Sequence, residues 1–249
     1  MLQTVIVSAD FNELFEADWA PDHIVAQGDR ISLSLDSSTG CGFESKKKYL
    51  FGKASAELKL VQGDSAGTMS SQGANHDELD FEFLGNVSGE PYIVQTNLYI
   101  NGTGDREQRH YLWFLVDDIP IREYTNKERK GMPYPRKQAM GIYGSLWNAD
   151  DWATQGGRVK TNWTNAPFVV TFNSLEIDAC AFLSDKADDV DAVAKCGKSG
   201  QFWWDKPVVK EEHKRRRKQL KWVRDNFLVY DYCRDVGRFP QGLPKECHG

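Results

Sequence analysis

In the stretch His76-Asp77-Glu78-Leu79-Asp80-Phe81-Glu82-Phe83, an acid alternates with a large apolar residue over the last six positions. Successive side chains of a β-strand point to opposite faces, so this pattern predicts a strand with one apolar and one acidic face. Leu79, Phe81 and Phe83 are expected to enter a core, with Glu78, Asp80 and Glu82 together on the opposite, exposed face. Three adjoining carboxylates repel one another, and a purely structural strand has no reason to gather them.

The same texture extends outward on both sides. Residues 31–35 alternate and meet a turn cluster at 36–40; residues 49–52 lead into an alternating run at 54–61 that stops at Gly63-Asp64. Residues 92–100 are β-branched and aromatic and close on Asn101-Gly102, while 114–116 and 168–177 are further strand candidates. Many short strands separated by Gly, Asn and Asp turns predict an all-β sandwich or jelly roll. After Cys180 the pattern changes. Residues 185–191 are polar and acidic. Residues 211–219 predict a short helix with an acidic start and a basic end, packed through Leu220, Val223 and Phe227, and 228–232 return to a strand.

Composition narrows the functional classes. The chain has 249 residues and a formal net charge of -5, where a phosphate-tracking surface would show a basic excess. The basic run at 214–218 reads as a solvated helix face, so no nucleic-acid partner is expected. No apolar run approaches the ~20 residues of a bilayer-crossing helix, so no membrane span is expected. Eight Trp, nine Tyr and thirteen Phe suit both a sheet core and stacking against sugar rings.

Cysteines 180, 196, 233 and 247 fall into two local pairs in the last third, although four cysteines permit three pairings. Sequons stand at Asn86, Asn101 and Asn162. Together these features predict a secreted glycoprotein. Residues 1–10 lack the basic start and full apolar core of a secretory leader, so a leader is expected to have been removed.

The acidic strand is where chemistry is expected. Along a strand the Cα atoms of Glu78 and Glu82 lie roughly 13 Å apart, a gap two side chains leaning together can largely close. That favours the roughly 5–5.5 Å carboxyl separation of a retaining glycosidase over the wider inverting arrangement. One carboxylate must be ionised to attack, the other must keep its proton for the leaving oxygen, and Asp80 between them raises the cost of ionising both. The blander readings are a solvated face or a calcium site, but the EF-hand pattern is absent and one rigid strand makes a poor cage. Gln95 and Asn97 offer amides suited to sugar hydroxyls. Trp147 and Trp152 offer indole platforms beside Asp150 and Asp151, or else core packing. No spacing resembles a metal cluster, a Ser-His-Asp or Cys-His site, or a phosphate-binding loop, so neither metal nor cofactor is expected.

Several of these stretches resemble the plant xyloglucan endotransglucosylase/hydrolases, a branch of glycoside hydrolase family 16. They are HDELDFEFLG at 76–85, Gln95-Thr96-Asn97, DREQR at 105–109, SLWNADDWATQGG at 145–157, Trp222-Val223-Arg224 and Tyr230-Asp231-Tyr232-Cys233. The resemblance implies a β-jelly-roll of two curved antiparallel sheets over residues 1–179, with a small disulfide-stapled extension at 180–249. It implies Glu78 as nucleophile, Glu82 as general acid/base and Asp80 as the helper that tunes the nucleophile. Glucan contacts are implied for Gln95, Asn97, Asp105, Arg106, Glu107, Asp151, Trp152, Gly156 and Arg238, beside the Trp147 platform. Asn86 matches the family's frequent glycan position. Disulfides are implied for Cys180 with Cys196 and Cys233 with Cys247, leaving Cys41 free.

The activity implied is cleavage of the β-1,4-glucan backbone of xyloglucan and transfer of the covalent glycosyl unit to another xyloglucan chain or oligosaccharide. The implied setting is the plant cell wall and apoplast, and a monomer is expected. Residues 156–160 run on without the longer loop of hydrolytic members, which favours transfer. The chain departs from the family pattern by about five residues between Thr68 and Met69 and about twenty between Trp113 and Phe114. Two competing readings follow: a glucan-binding variant with little or no turnover because core strands are missing, and a mainly hydrolytic enzyme.

Overall fold

In the computed structural model, the described residues are 10–67, 77–112, 119–135, 138–182, 190–197 and 207–248. His76, the expected strand at 114–116 and residues 185–189 lie outside them, as do the chain stretches flanking both departures from the family pattern. The strands are β1 (Phe15–Trp19), β2 (Ile24–Gln27), β3 (Arg30–Leu35), β4 (Cys41–Ser45), β5 (Lys48–Lys59) and β6 (Glu78–Leu84). They continue as β7 (Tyr92–Tyr99), β8 (Gln108–Leu112), β9 (Tyr143–Leu146), β10 (Phe168–Phe182) and β11 (Leu228–Asp231). Three helices accompany them: α1 (Phe11–Leu14), α2 (Val190–Gly197) and α3 (Pro207–Asn226).

The fold is antiparallel β with a helical C-terminal region, the jelly-roll class expected. Among the described residues its strands hydrogen-bond into three sheets, ordered β1-β4-β9, β2-β3-β10-β5 and β11-β8-β7-β6. The chain divides into two compact units. One comprises residues 1–71, 83–90 and 136–202; the other comprises 72–82, 91–135 and 203–249.

The first unit holds the principal core. β10 pairs with β3 residue for residue, Phe168 opposite Leu35 and Val170 opposite Leu33, so the alternating residues of both strands fall on the same face. Ile31, Leu33 and Leu35 are at most 1% exposed, and each such side chain contributes roughly 1.5–3 kcal/mol by leaving water. Phe43 meets Phe15 and Phe172 edge to face, with centroids 5.2 and 5.4 Å apart. Cys180 bonds Cys196, tying β10 to α2, and Cys41 is free and buried.

In the second unit β7 pairs with β8, Gln95 opposite Arg109 and Val94 opposite His110. α3 is twenty residues long, extending the expected helix at both ends; Val223 is buried, and Trp222 and Phe227 pack with centroids 4.9 Å apart. Cys233 bonds Cys247.

β6 alternates as expected, but its burial is reversed. Asp80 and Glu82 are 8% and 3% exposed, whereas Leu79 and Phe81 are 53% and 59% exposed. The reason lies in what covers each face. Glu82 is covered by partners from β7 and β8, described below, while among the described residues β6 lies at the edge of its sheet and Leu79 and Phe81 stay exposed. Strands β1, β2, β4, β8 and β9 carry no clean alternation and are not announced by the sequence; β8, for instance, reads Gln-Arg-His-Tyr-Leu.

His110 is the most consequential residue on the reverse face of β8. It is 2% exposed, and among the described residues neither ring nitrogen has a hydrogen-bond partner. Burial, then the cations Arg122 and Arg224, push its pKa down to about 4, with Asp231 opposing. A basic group whose folded pKa is depressed leaves stability intact above its unfolded pKa, ~6.5, and removes it as pH falls toward the folded value. His110→Leu is therefore expected to gain about 3 kcal/mol on the wild type between pH 7 and pH 4, read by urea unfolding at both ends. A pH-independent difference would show that His110 does not set the acid limb.

Candidate active site

The acidic residues are delivered by β6, in the second unit. The Asp80 carboxyl hydrogen-bonds to that of Glu78. Burial first, that bond second, and then the negative charges of Glu78 and Glu82 raise the Asp80 pKa far above the carboxylate range, with Arg122 opposing. The direction of that shift favours the protonated form of Asp80, so its carboxyl is suited to act as the donor in the bond to Glu78. The Glu82 pKa is pushed up to about 8, mainly by burial. A hydrogen bond from Gln95 and the charge of Arg109 work against that rise; the charges of Glu107 and Glu78 add to it. Two carboxyls with raised pKa values on one strand, one of them hydrogen-bonded to a third carboxyl, can supply a proton donor and a separate nucleophile.

β7 and β8 hold this arrangement. Gln95, 4% exposed, donates its amide N–H to Glu82 Oε2 and accepts at Oε1 from Arg109 Nε at 2.5 Å. The Arg109 guanidinium lies over the Tyr230 ring, 5.4 Å from its centroid. Asn97 uses its Oδ1 internally, accepting from Leu98 N–H at 2.8 Å and Arg106 N–H at 3.1 Å. It thereby fixes the start of the 105–109 motif against β7. Arg106 is directed inward, onto Glu246 at 2.6 Å and the carbonyls of Thr103 and Gly104.

Arg238 donates to Asp105 at 2.6 Å, to Glu107 at 2.9 Å and to the Tyr230 hydroxyl at 3.2 Å. The second unit thus brings together Glu78, Asp80, Glu82, Gln95, Asn97, Asp105, Arg106, Glu107 and Arg238. Trp147, Asp151, Trp152 and Gly156 belong to the first unit. There Trp147 and Trp152 are half-buried and Asp151 is exposed; Gly156, at φ +68°, is exposed with open space where a side chain would project. Asn101 and Asn162 are exposed and Asn86 is half-buried.

Arg109, Arg122, Tyr230 and Glu246 escape a reading of the sequence for site residues. Arg109 had a signal, since on a strand it shares a face with Glu107 two residues earlier. Glu246 had none: its partner Arg106 is 140 residues away. Among the described residues no cluster of three or more His, Cys, Asp or Glu could hold a metal ion, and no helix is long and apolar enough to cross a membrane.

A β-rich fold carrying three acids on one strand, two of them buried with raised pKa values, suits carboxylate-based acid/base chemistry. The family model described as Glycosyl hydrolases family 16 matches residues 11–115 and 112–165, and that of the xyloglucan endo-transglycosylase C-terminus matches 198–247. Xyloglucan endotransglucosylase protein 6 of Diospyros kaki is 50% identical over 96% of this chain and 89% of its own length. Xyloglucan endotransglucosylase/hydrolase protein 9 of Arabidopsis thaliana is 49% identical over 99% of this chain and 94% of its own. A solved native glycosidic hydrolase shares the fold, with a TM-score of 0.50 at 17% identity over 71% of this chain and 97% of that one. The chain belongs to glycosyl hydrolases family 16 and, within it, to the plant xyloglucan endotransglucosylase/hydrolases.

The departures from the family pattern have a counterpart in these matches. The family 16 model matches in two pieces that meet at residues 112–115, beside the expected omission after Trp113. The matched 96% of the chain is about 239 residues, so about 28 of the 267 aligned positions of the Diospyros relative fall opposite gaps.

Proposed function

We propose that this chain is a retaining endo-acting transglycosylase that cleaves the β-1,4-glucan backbone of xyloglucan and transfers the glycosyl unit to another xyloglucan chain end. The observation that carries the reading is the clustering of three carboxyls on β6, with Asp80 hydrogen-bonded to Glu78 and Glu82 buried against the Gln95 amide. Glu78 acts as nucleophile on the anomeric carbon, and the hydrogen bond from Asp80 orients its carboxylate. Glu82 gives its proton to the departing glycosidic oxygen. In the second half-reaction the same residue, now a base, takes a proton from the acceptor hydroxyl as that oxygen displaces Glu78. No cofactor is required by this chemistry.

The Arg238, Asp105 and Glu107 group and the Trp147, Asp151, Trp152 and Gly156 group contact the glucan, as do Gln95 and Asn97, and Arg106 supports the 105–107 loop from within. Residues 1–179 form the catalytic domain and 180–249 the extension. The two disulfides and the sequons at Asn86, Asn101 and Asn162 support secretion into the cell wall.

Partition between transfer and hydrolysis tests the reading. Xyloglucan incubated with the protein and an excess of labelled xyloglucan oligosaccharide is expected to give labelled polymer with no matching rise in reducing ends. Reducing ends that accumulate despite the acceptor would replace transfer by hydrolysis. Xyloglucan binding without either product would assign the chain to a non-catalytic glucan binder, the outcome that the gaps opposite its relatives would then explain.

A further inference from the structure

Gln95 sits between the proposed acid/base and a cation, and its amide can face either way. A guanidinium donates and never accepts. Arg109 Nε, 2.5 Å from Gln95 Oε1, therefore admits only the carbonyl end of that amide, which leaves the N–H end for Glu82 Oε2. A flipped amide would set N–H against N–H at Arg109. Arg109 is itself held: its guanidinium lies over Tyr230, whose hydroxyl donates to Asp235 at 2.9 Å and accepts from Arg238 at 3.2 Å. Gln95 is 4% exposed, so no bulk solvent competes for either end.

We propose that Arg109 is a positioning residue that locks the Gln95 amide with its N–H toward Glu82, so that the transferable proton of Glu82 sits on Oε1. This rests on Glu82 being the acid/base. An N–H directed at Oε2 favours a bare oxygen there, so the carboxyl proton occupies the other oxygen. With the amide reversed, its carbonyl would accept the proton on Oε2 and hold it away from the leaving group. The lock also serves the second half-reaction, because the same N–H stabilises the Glu82 carboxylate that must act as base.

The charged and titratable groups around Glu82 are Glu78 and Asp80 on its own strand, Tyr99 on β7, Glu107 just before β8, and Arg109 on β8. Among the described residues, only Arg109 both carries positive charge and hydrogen-bonds to Gln95. Its loss is thus expected to favour the protonated form of Glu82 in two ways, by removing a charge and by freeing the amide to turn.

The test is a ¹³C NMR titration of the Glu82 side-chain carboxyl, assigned with Glu82→Gln, which needs no turnover. It is run on the wild type, Arg109→Lys, Arg109→Leu, Gln95→Ala and the Arg109→Leu/Gln95→Ala pair, each checked for a native thermal transition. Arg109→Lys keeps the charge but loses the planar donor, so its midpoint is expected to rise by about half a pH unit or more, and that of Arg109→Leu by about one. In the Gln95→Ala background the Arg109→Leu shift is expected to shrink by at least half. A midpoint in Arg109→Lys equal to the wild type, or an undiminished shift in the double variant, would show that Arg109 acts through its charge alone and would overturn the lock. In the transfer assay the alkaline limb of kcat/KM is expected to move upward with the titration. If the wild type makes no product while the titrations behave as described, the proposed function fails and the lock stands.

Discussion

Glu78→Ala is expected to lower transfer by about 10⁴-fold or more while leaving the fold intact, since for the proposed nucleophile no neighbour can substitute. Mass spectrometry of the intact, deglycosylated protein after incubation with xyloglucan provides the direct reading. The wild type should show a glycosyl adduct, and Glu78→Ala should show none. A labelled adduct persisting in Glu78→Ala would move the nucleophile elsewhere. The Asp80 proton gives a second check on the same residue. Asp80→Asn keeps a donor toward Glu78 and should retain more activity than Asp80→Ala, which leaves the Glu78 carboxyl without it.

Glu82→Gln is expected to abolish acid catalysis and at the same time to stabilise the protein. The sign follows from the direction of the pKa shift. An acid whose folded pKa is pushed up to about 8, above the ordinary 4.5, costs little stability at pH 4, where both states are largely protonated. As pH rises through that interval, the unfolded chain ionises freely and the folded one cannot. Glu82→Gln should therefore match the wild type near pH 4 and exceed it by about 2–4 kcal/mol above pH 8, measured by urea unfolding. Equal stabilities across the range would mean that Glu82 is solvated and ionised at neutral pH. Turnover of Glu82→Gln should fall 10²- to 10⁴-fold, the range for losing a positioned proton donor.

The alternation in residues 78–83 was enough to place a strand and to put three acids on one face of it. It could not say which face would be buried. That depends on the partners brought by β7 and β8, whose pairing is set by register rather than by anything local to β6. Strands such as β3 and β10 announce themselves because one face of each enters the core, whereas β8 mixes a cation, an imidazole and a tyrosine, and its alternation is chemical rather than hydropathic. The site residues near one another in sequence were legible. Those defined by an interaction at long range, Arg106 with Glu246 or Arg109 with Tyr230, were not, because one half of each pair carries no meaning without the other.

The Cys233–Cys247 bond has a reach beyond its own loop. Glu246, the residue before Cys247, holds Arg106, and both side chains are about nine-tenths buried. Arg106 in turn stands between Asp105 and Glu107, the two acids that receive Arg238. Position along this stretch of the proposed sugar-facing surface is therefore written in sulfur: the oxidising power of the compartment in which the chain matures decides whether its last residues are a fastened strut or a loose tail. Material assembled with its thiols reduced would keep the β6 acids in place and lose the footing of the loop beside them.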